Sequence, residues 1–225
     1  MNNLKLLLKY IVGFIKLRNI QVIATFPILK SNKFKSLESA KIFKSRIQIW
    51  DYIIDYFFDK DLDFYEFGVH KGDSIRYFSE KLINKNNNFT GFDSFEGLPE
   101  VYNHGSLSKG DFSTHGQIPN IDDYRVKFIK GFFNEKKNEI QNELKKSINT
   151  KIVHFDADIY SSTLFLLFQL DNFTPYYALF DEFGGDEARA LYDYLISTDK
   201  KIEISATTYD DRYKIVPRET FMKIY

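Results

Sequence analysis

The chain has 225 residues, 44% of them hydrophobic and 17% aromatic, which is enough for one domain with a bulky core and leaves no expectation of a second. Its 31 basic and 31 acidic side chains cancel, so there is no overall positive field to hold nucleic acid, and no nucleic-acid partner is expected. With no cysteine, disulfides, thiolate metal sites and cysteine nucleophiles are excluded together, and a reducing, cytoplasmic setting is the default.

Residues 1–37 hold seven Lys or Arg and no acid. Leu4, Leu7, Leu8, Ile11 and Phe14 share one helical face, so residues 1–35 are read as a basic amphipathic helix or arm ahead of a main domain over 36–225. The segment is too interrupted to span a bilayer, and no small-residue cleavage site follows it. Three roles suit it: a lid or homo-oligomer element packed on the domain, a loosely ordered arm, and, less favoured, a membrane-surface contact. Residues 36–60 read as one long helix, with Ile42, Ile47, Trp50, Ile53 and Phe57 in an apolar stripe and Ser36 or Ser39 as its cap; Trp50 is assigned to the core.

The stretch Asp63-Phe-Tyr-Glu66-Phe-Gly68-Val-His-Lys-Gly72-Asp-Ser74 reads as strand, glycine-bounded turn and helix start. Gly68 and Gly72 permit backbone conformations closed to other residues, and the helix after them offers unpaired N–H groups, so a nucleotide-sized ligand is implied. A pyrophosphate is disfavoured by the G-x-x-x-G spacing and by Glu66, which suits an ammonium group such as that of S-adenosylmethionine. An NAD-dependent oxidoreductase is therefore the weaker alternative, as is a non-catalytic binding domain. Asp93, at the end of the next apolar run and 21 residues beyond Gly72, is placed to accept ribose hydroxyls.

Residues 101–123 lack periodicity and are read as a flap over cofactor or substrate, with Gly110-Asp-Phe112 ordered and His104 and His115 as solvated side chains. A third strand ends at Gly131-Phe132-Phe133, a charged surface helix covers 134–146, and a fourth strand runs into Asp156-Ala-Asp158. A nearly wholly apolar helix follows, then a fifth strand ending in Asp181-Glu182-Phe183. Residues 201–209 and 213–216 alternate around a polar turn, which predicts an antiparallel hairpin. The fold class expected is α/β: a Rossmann-like, mostly parallel seven-stranded sheet closed by that C-terminal hairpin.

Five acids then gather at the carboxyl ends of the strands, where open α/β sheets bind ligands. Glu66 and Asp93 suit the cofactor. Asp156, Asp181 and Glu182 are too close in kind and place to ionise together uncompensated, and hard oxygen donors without cysteine or paired histidine select Mg²⁺ or Ca²⁺ over zinc, with Mg²⁺ suited to a site that keeps waters and accepts substrate oxygens. The plainer reading of Asp156, Asp181 and above all Asp158 is as caps of the following helices, and His154 is assigned to the core.

The segments Tyr65-Glu-Phe-Gly-Val-His-Lys-Gly-Asp-Ser74, Gly91-Phe-Asp-Ser-Phe-Glu-Gly-Leu-Pro99 and Asp156-Ala-Asp-Ile-Tyr-Ser-Ser-Thr163 resemble the macrocin O-methyltransferase family of metal-dependent sugar O-methyltransferases. The resemblance covers roughly residues 60–200. It implies cofactor contacts from Glu66, Gly68, Val69, His70, Gly72 and Ser74, from Asp93 and Ser94, and from Gly131 and Phe132. It also implies Mg²⁺ at Asp156, Asp181 and Glu182, Asp156 as general base, and a sugar-containing or other small-molecule acceptor. One departure stands out: Asp181-Glu182-Phe183 replaces the family's Asp-Asp-Tyr, lengthening one acid and removing a hydroxyl.

Overall fold

The computed structural model describes residues 25–100, 108–146, 148–209 and 216–225. The amphipathic helix expected over 4–14, His104 and the hairpin turn after Tyr209 lie outside the described residues. Eight strands are found among the described residues: β1 (Lys41–Phe43), β2 (Leu62–Phe67), β3 (Asn88–Asp93), β4 (Val126–Lys130), β5 (Thr150–Phe155), β6 (Tyr176–Phe180), β7 (Ile202–Tyr209) and β8 (Pro217–Ile224). They form one sheet in the order β1-β7-β8-β6-β5-β2-β3-β4, in which β8 alone runs antiparallel to its neighbours. The helices are α1 (Arg46–Phe57), α2 (Asp73–Lys81), α3 (Lys137–Lys145), α4 (Tyr160–Leu170) and α5 (Asp186–Ser197). No helix among the described residues is long and apolar enough to cross a membrane.

The parallel sheet closed by a C-terminal hairpin is as expected from the strand–helix alternation, with three corrections. The helix expected over 36–60 is divided into a 3-10 helix (Asn32–Ser39), strand β1 and α1. The division is local: the Ser45 hydroxyl accepts from the Gln48 N–H while the Gln48 side chain accepts from the Lys44 N–H, a reciprocal cap that starts a new helix at Arg46. The freed segment adds β1 beside β7, giving eight strands instead of seven, and leaves Ile42 exposed. The hairpin's return strand runs over Pro217–Ile224, beyond the end expected at Val216, because β8 pairs along both β6 and β7; residues 213–215 lie outside the described residues, and Pro217 occupies the first position of β8, where a missing N–H is tolerated.

The alternation of each strand sends residues to two apolar layers. Phe67, Phe92, Phe155 and Phe180 lie with α3, α4 and α5 on one face, joined by Leu29 and Phe34 from the segment before β1. Phe64, Phe89 and Leu179 lie with Trp50, Phe57 and Phe78 of α1 and α2 on the other. Register aligns Glu66 of β2 with His154 of β5, and His154 with Leu179 of β6. Two residues beyond, on the same parity, come Asp156 and Asp181, so the sheet itself delivers these side chains towards α1 and α2.

Arg125, just before β4, ties the sheet to the end of α2. Its guanidinium donates to the carbonyls of Ser79, Leu82 and Asn84 and is held by Asp123 at 2.6 Å, placing a cation at a helix C-terminus. Replacing Arg125 by Ala should cost about 2–3 kcal/mol, read as a lower denaturation midpoint at pH 7. The Asp123 carboxyl is held below its ordinary value chiefly by the Arg125 hydrogen bond. A depressed acid contributes fully above its unfolded pKa of about 4 and loses that contribution as pH falls through the folded value, so the gap between wild type and variant should be constant from pH 6 to 8 and narrow below about pH 4.

Candidate active site

Where β2 ends, Gly68 takes φ +95, and a Cβ there would sit 1.8 Å from the Asp156 carbonyl oxygen. Only glycine lets the exits of β2 and β5 abut this closely. The loop continues through His70 at φ 51 to Gly72 at φ 78, which is the N-cap of α2. Asp93 holds the loop in place: its Oδ2 accepts the N–H groups of Val69 (2.7 Å) and His70 (2.8 Å), and its Oδ1 accepts that of Phe95 (2.7 Å). Four lone-pair sites minus three backbone donors leave one on Oδ1. In this arrangement Asp93 can accept one ribose hydroxyl, not the two expected from its position alone.

Glu66 does not line the cavity. It is fully buried beneath the loop, where Oε1 accepts from the Ser74 hydroxyl and lies 2.8 Å from Nδ1 of His154, while Oε2 has no partner among the described residues. Ser74 is therefore a support for Glu66.

The acids at the exits of β5 and β6 are crowded. Burial, and after it the charges of Asp181, Asp158, Glu187 and Glu66, pushes the Asp156 carboxyl well above the usual range. Burial with Glu182, Asp181 and Asp93 raises Asp158 to about 7. Glu187 is likewise raised by burial and Asp181, and accepts the Glu182 N–H at 3.0 Å. Two arginines answer part of this charge. Arg46 donates to Asp181 Oδ2 at 3.0 Å and to Glu219 at 3.1 Å, and Arg218 donates to Glu182 at 3.1 Å on the exposed rim. For Arg46 burial opposes the charge, but Asp181 and Glu219 outweigh it and its pKa rises.

These elements line a half-open cavity of about 610 Å³. Gly68, His70, Asp93, Ser94 and Phe132 border one part of it; Asp156, Asp158, Asp181 and Glu182 border another. Val69, within the loop, is buried, and Gly131, at φ +145, turns the chain after β4; neither lines the cavity. From the expected flap, Phe112 reaches the cavity and stands edge-on to His70, whereas His115 does not. Asp158 does not cap α4: the N-cap is Ile159, without a side-chain bond, and Asp158 takes φ 57 and faces the cavity. Phe183 is fully buried against Phe34 and Phe180, so the hydroxyl it lacks would have fallen in the core, not at the acids.

Sequence reasoning missed Arg46, Arg218, Ser161 and Phe165 in the lining. With α1 starting at Arg46 and not at residue 36, Arg46 is a cation in a first turn, where it opposes the helix dipole and needs the acids as its reason to be there. His154 is buried as expected, but its ring shares a space with the acids: one donor atom from each of His154, Asp156 and Asp181 lies within 4.8 Å of the other two. Nε2 of His154 and Oδ1 of Asp181 are buried and unpaired among the described residues. Unpaired buried acceptors beside crowded carboxylates fit a divalent cation.

No protein-family model matches the chain, and no curated protein sequence does. Among solved structures it is similar to the O-methyltransferase NovP (19% identity, 78% of this chain and 76% of that one, TM-score 0.51). It is also similar to an O-methyltransferase from Bacillus cereus in complex with SAH (10% identity, 96% and 95%, TM-score 0.51), and to a structure titled cmcI-D160 Mg-SAM (15% identity, 79% and 70%, TM-score 0.50). At such identities the structural likeness establishes the fold alone, a Rossmann-like methyltransferase fold.

Asp93→Asn keeps one acceptor oxygen where the loop uses two. The amides of Val69 and His70, or that of Phe95, should then exchange about tenfold faster with deuterium, a loss of ~1.4 kcal/mol locally.

Proposed function

We propose that the protein is an S-adenosylmethionine-dependent O-methyltransferase of the macrocin type, acting on a hydroxyl of a sugar or sugar-containing small molecule with the aid of a divalent cation. The observation that carries this reading is the division of one cavity into a glycine-loop half bordered by Gly68, Asp93 and Phe132 and an acidic half bordered by Asp156, Asp158 and Asp181. An adenosine with its ribose suits the first half, where Ser94 and the single free lone pair of Asp93 can orient it and Phe132 offers an aromatic surface. Glu66, sealed below the loop, acts on the cofactor only through the loop it supports. In this reading S-adenosylmethionine supplies the methyl group, and Asp156 and Asp181 supply oxygen donors to the cation, with Glu182 at the rim beside Arg218. A cation held there lowers the pKa of an acceptor hydroxyl.

Bound there, S-adenosylmethionine would supply the methyl group and leave as S-adenosylhomocysteine, and a carboxylate of this chain would take the proton of the acceptor hydroxyl. Asp156 is assigned that base. Position favours Asp158 as a second candidate, since it faces the cavity, caps nothing and is held by a left-handed backbone.

Calorimetric titration with S-adenosylmethionine and with NAD, each with and without Mg²⁺, tests the donor: only the first should bind, and NAD binding alone would refute the reading. Labelled methyl donor offered with a panel of nucleotide sugars tests the acceptor. Asp156→Asn should lower turnover by at least 100-fold while donor affinity stays within a few-fold. Asp158→Asn should match that loss only if it is the base.

A further inference from the structure

His154 is a buried polar residue beside the acids that the proposed chemistry leaves unused. It precedes Asp156 by two residues on β5, so both side chains leave the same face of the sheet. Oε1 of Glu66 already accepts the Ser74 hydroxyl and lies 2.8 Å from Nδ1, so Nδ1 is the protonated nitrogen and Nε2 carries the lone pair. A carboxylate on one imidazole nitrogen, with the other left free, is the usual arrangement behind a metal-bound histidine. Nε2 has no hydrogen-bond partner among the described residues and the ring is 1% exposed. Leaving such an atom unpaired costs about 1–3 kcal/mol unless something binds it.

The donor atoms of His154, Asp156 and Asp181 lie within 4.8 Å of one another. An ion about 2.1 Å from each needs them roughly 3–3.5 Å apart, a contraction within reach of side-chain rotation. Arg46 engages Oδ2 of Asp181 and leaves Oδ1 unpaired, while Glu182 is 47% exposed and committed to Arg218.

We propose that His154, Asp156 and Asp181 form a one-nitrogen, two-oxygen site that takes Mn²⁺, Co²⁺ or Zn²⁺ in preference to Mg²⁺, with Glu66 and Ser74 as positioning residues for the imidazole. This rests on the proposed function, since it names the third protein ligand and the ion class of the same site. An imidazole donor favours borderline transition ions, whereas three carboxylates would favour Mg²⁺.

The test uses the full chain freed of metal and titrated with Mn²⁺ alone, followed by loss of the free-ion electron paramagnetic resonance signal, with Mg²⁺ as competitor. Mn²⁺ should bind at least tenfold more tightly than Mg²⁺, and bound Mn²⁺ should show ¹⁴N coupling in the spin-echo spectrum. His154→Gln should weaken Mn²⁺ by 10–100-fold and abolish the coupling, and Glu66→Gln should weaken it by at least tenfold without abolishing it. Glu182→Gln should change Mn²⁺ affinity by less than threefold. If His154→Gln does not fold, the ¹⁴N coupling of the wild type decides alone. Absent coupling, equal affinity for Mg²⁺, or loss of the ion on Glu182→Gln would overturn the proposal. Calorimetry with S-adenosylmethionine on the same metal-free sample separates the two readings: donor binding without any Mn²⁺ binding overturns this site alone, and failure of both overturns the proposed function as well.

Discussion

Negative charge collected at the ends of parallel strands is the constraint on which the rest of this structure depends. Neighbouring strands stand about 4.8 Å apart, so side chains leaving β2, β5 and β6 at matched register cannot avoid one another. Asp156 and Asp181 are two such side chains, Glu66 lies two residues further back beside His154, and Asp158 and Glu182 from the following loops and Glu187 from α5 press on them. In a poorly hydrated pocket each added carboxylate raises the cost of ionising the next. Arg46 and Arg218 neutralise the outer part of the group, and Glu66 is sealed against His154. Asp156 is left with no cationic side chain in contact among the described residues.

The backbone around the acids is arranged to keep them there. Gly68 has no room for a side chain because the Asp156 carbonyl fills it, so the loop that would cradle a cofactor and the strand that carries the central acid are packed as one unit. Asp93 fixes that loop through two of its N–H groups and its own exit through a third. Arg46 reaches the group from the first turn of α1, which starts as a separate helix where Ser45 and Gln48 cap it. The same device that breaks the long helix expected from periodicity thus supplies the positive charge that the acids need.

Much of this was legible in the sequence, for reasons that differ between residues. The glycine loop, Asp93 and the acids after β5 and β6 were readable because residue type and spacing alone constrain them: no other side chain fits Gly68, and acids at strand ends have few uses. What failed depended on tertiary context. The apolar spacing through Ile42 and Ile47 fits a helix, but both side chains are exposed, and β1 forms because β7 offers an edge. The return strand of the hairpin was read only as far as Val216, whereas it runs on to Ile224 because its length is set by β6 and β7. Asp158 looked like a cap, yet the left-handed turn at that residue points it into the cavity. Arg46 and His154 were beyond reach by counting, since their partners lie 135 and 88 residues away in the chain.

Charge compensation at the strand ends is tested most directly by diffraction from crystals grown with a methyl-donor analogue and Mn²⁺, using the anomalous signal of the metal. The account predicts one peak at the carboxyl edge of the sheet, bounded by the carboxylates of Asp156 and Asp181, with Arg46 still on the far oxygen of Asp181. A map without a peak there, or with the Arg46 guanidinium moved across to both acids, would contradict it.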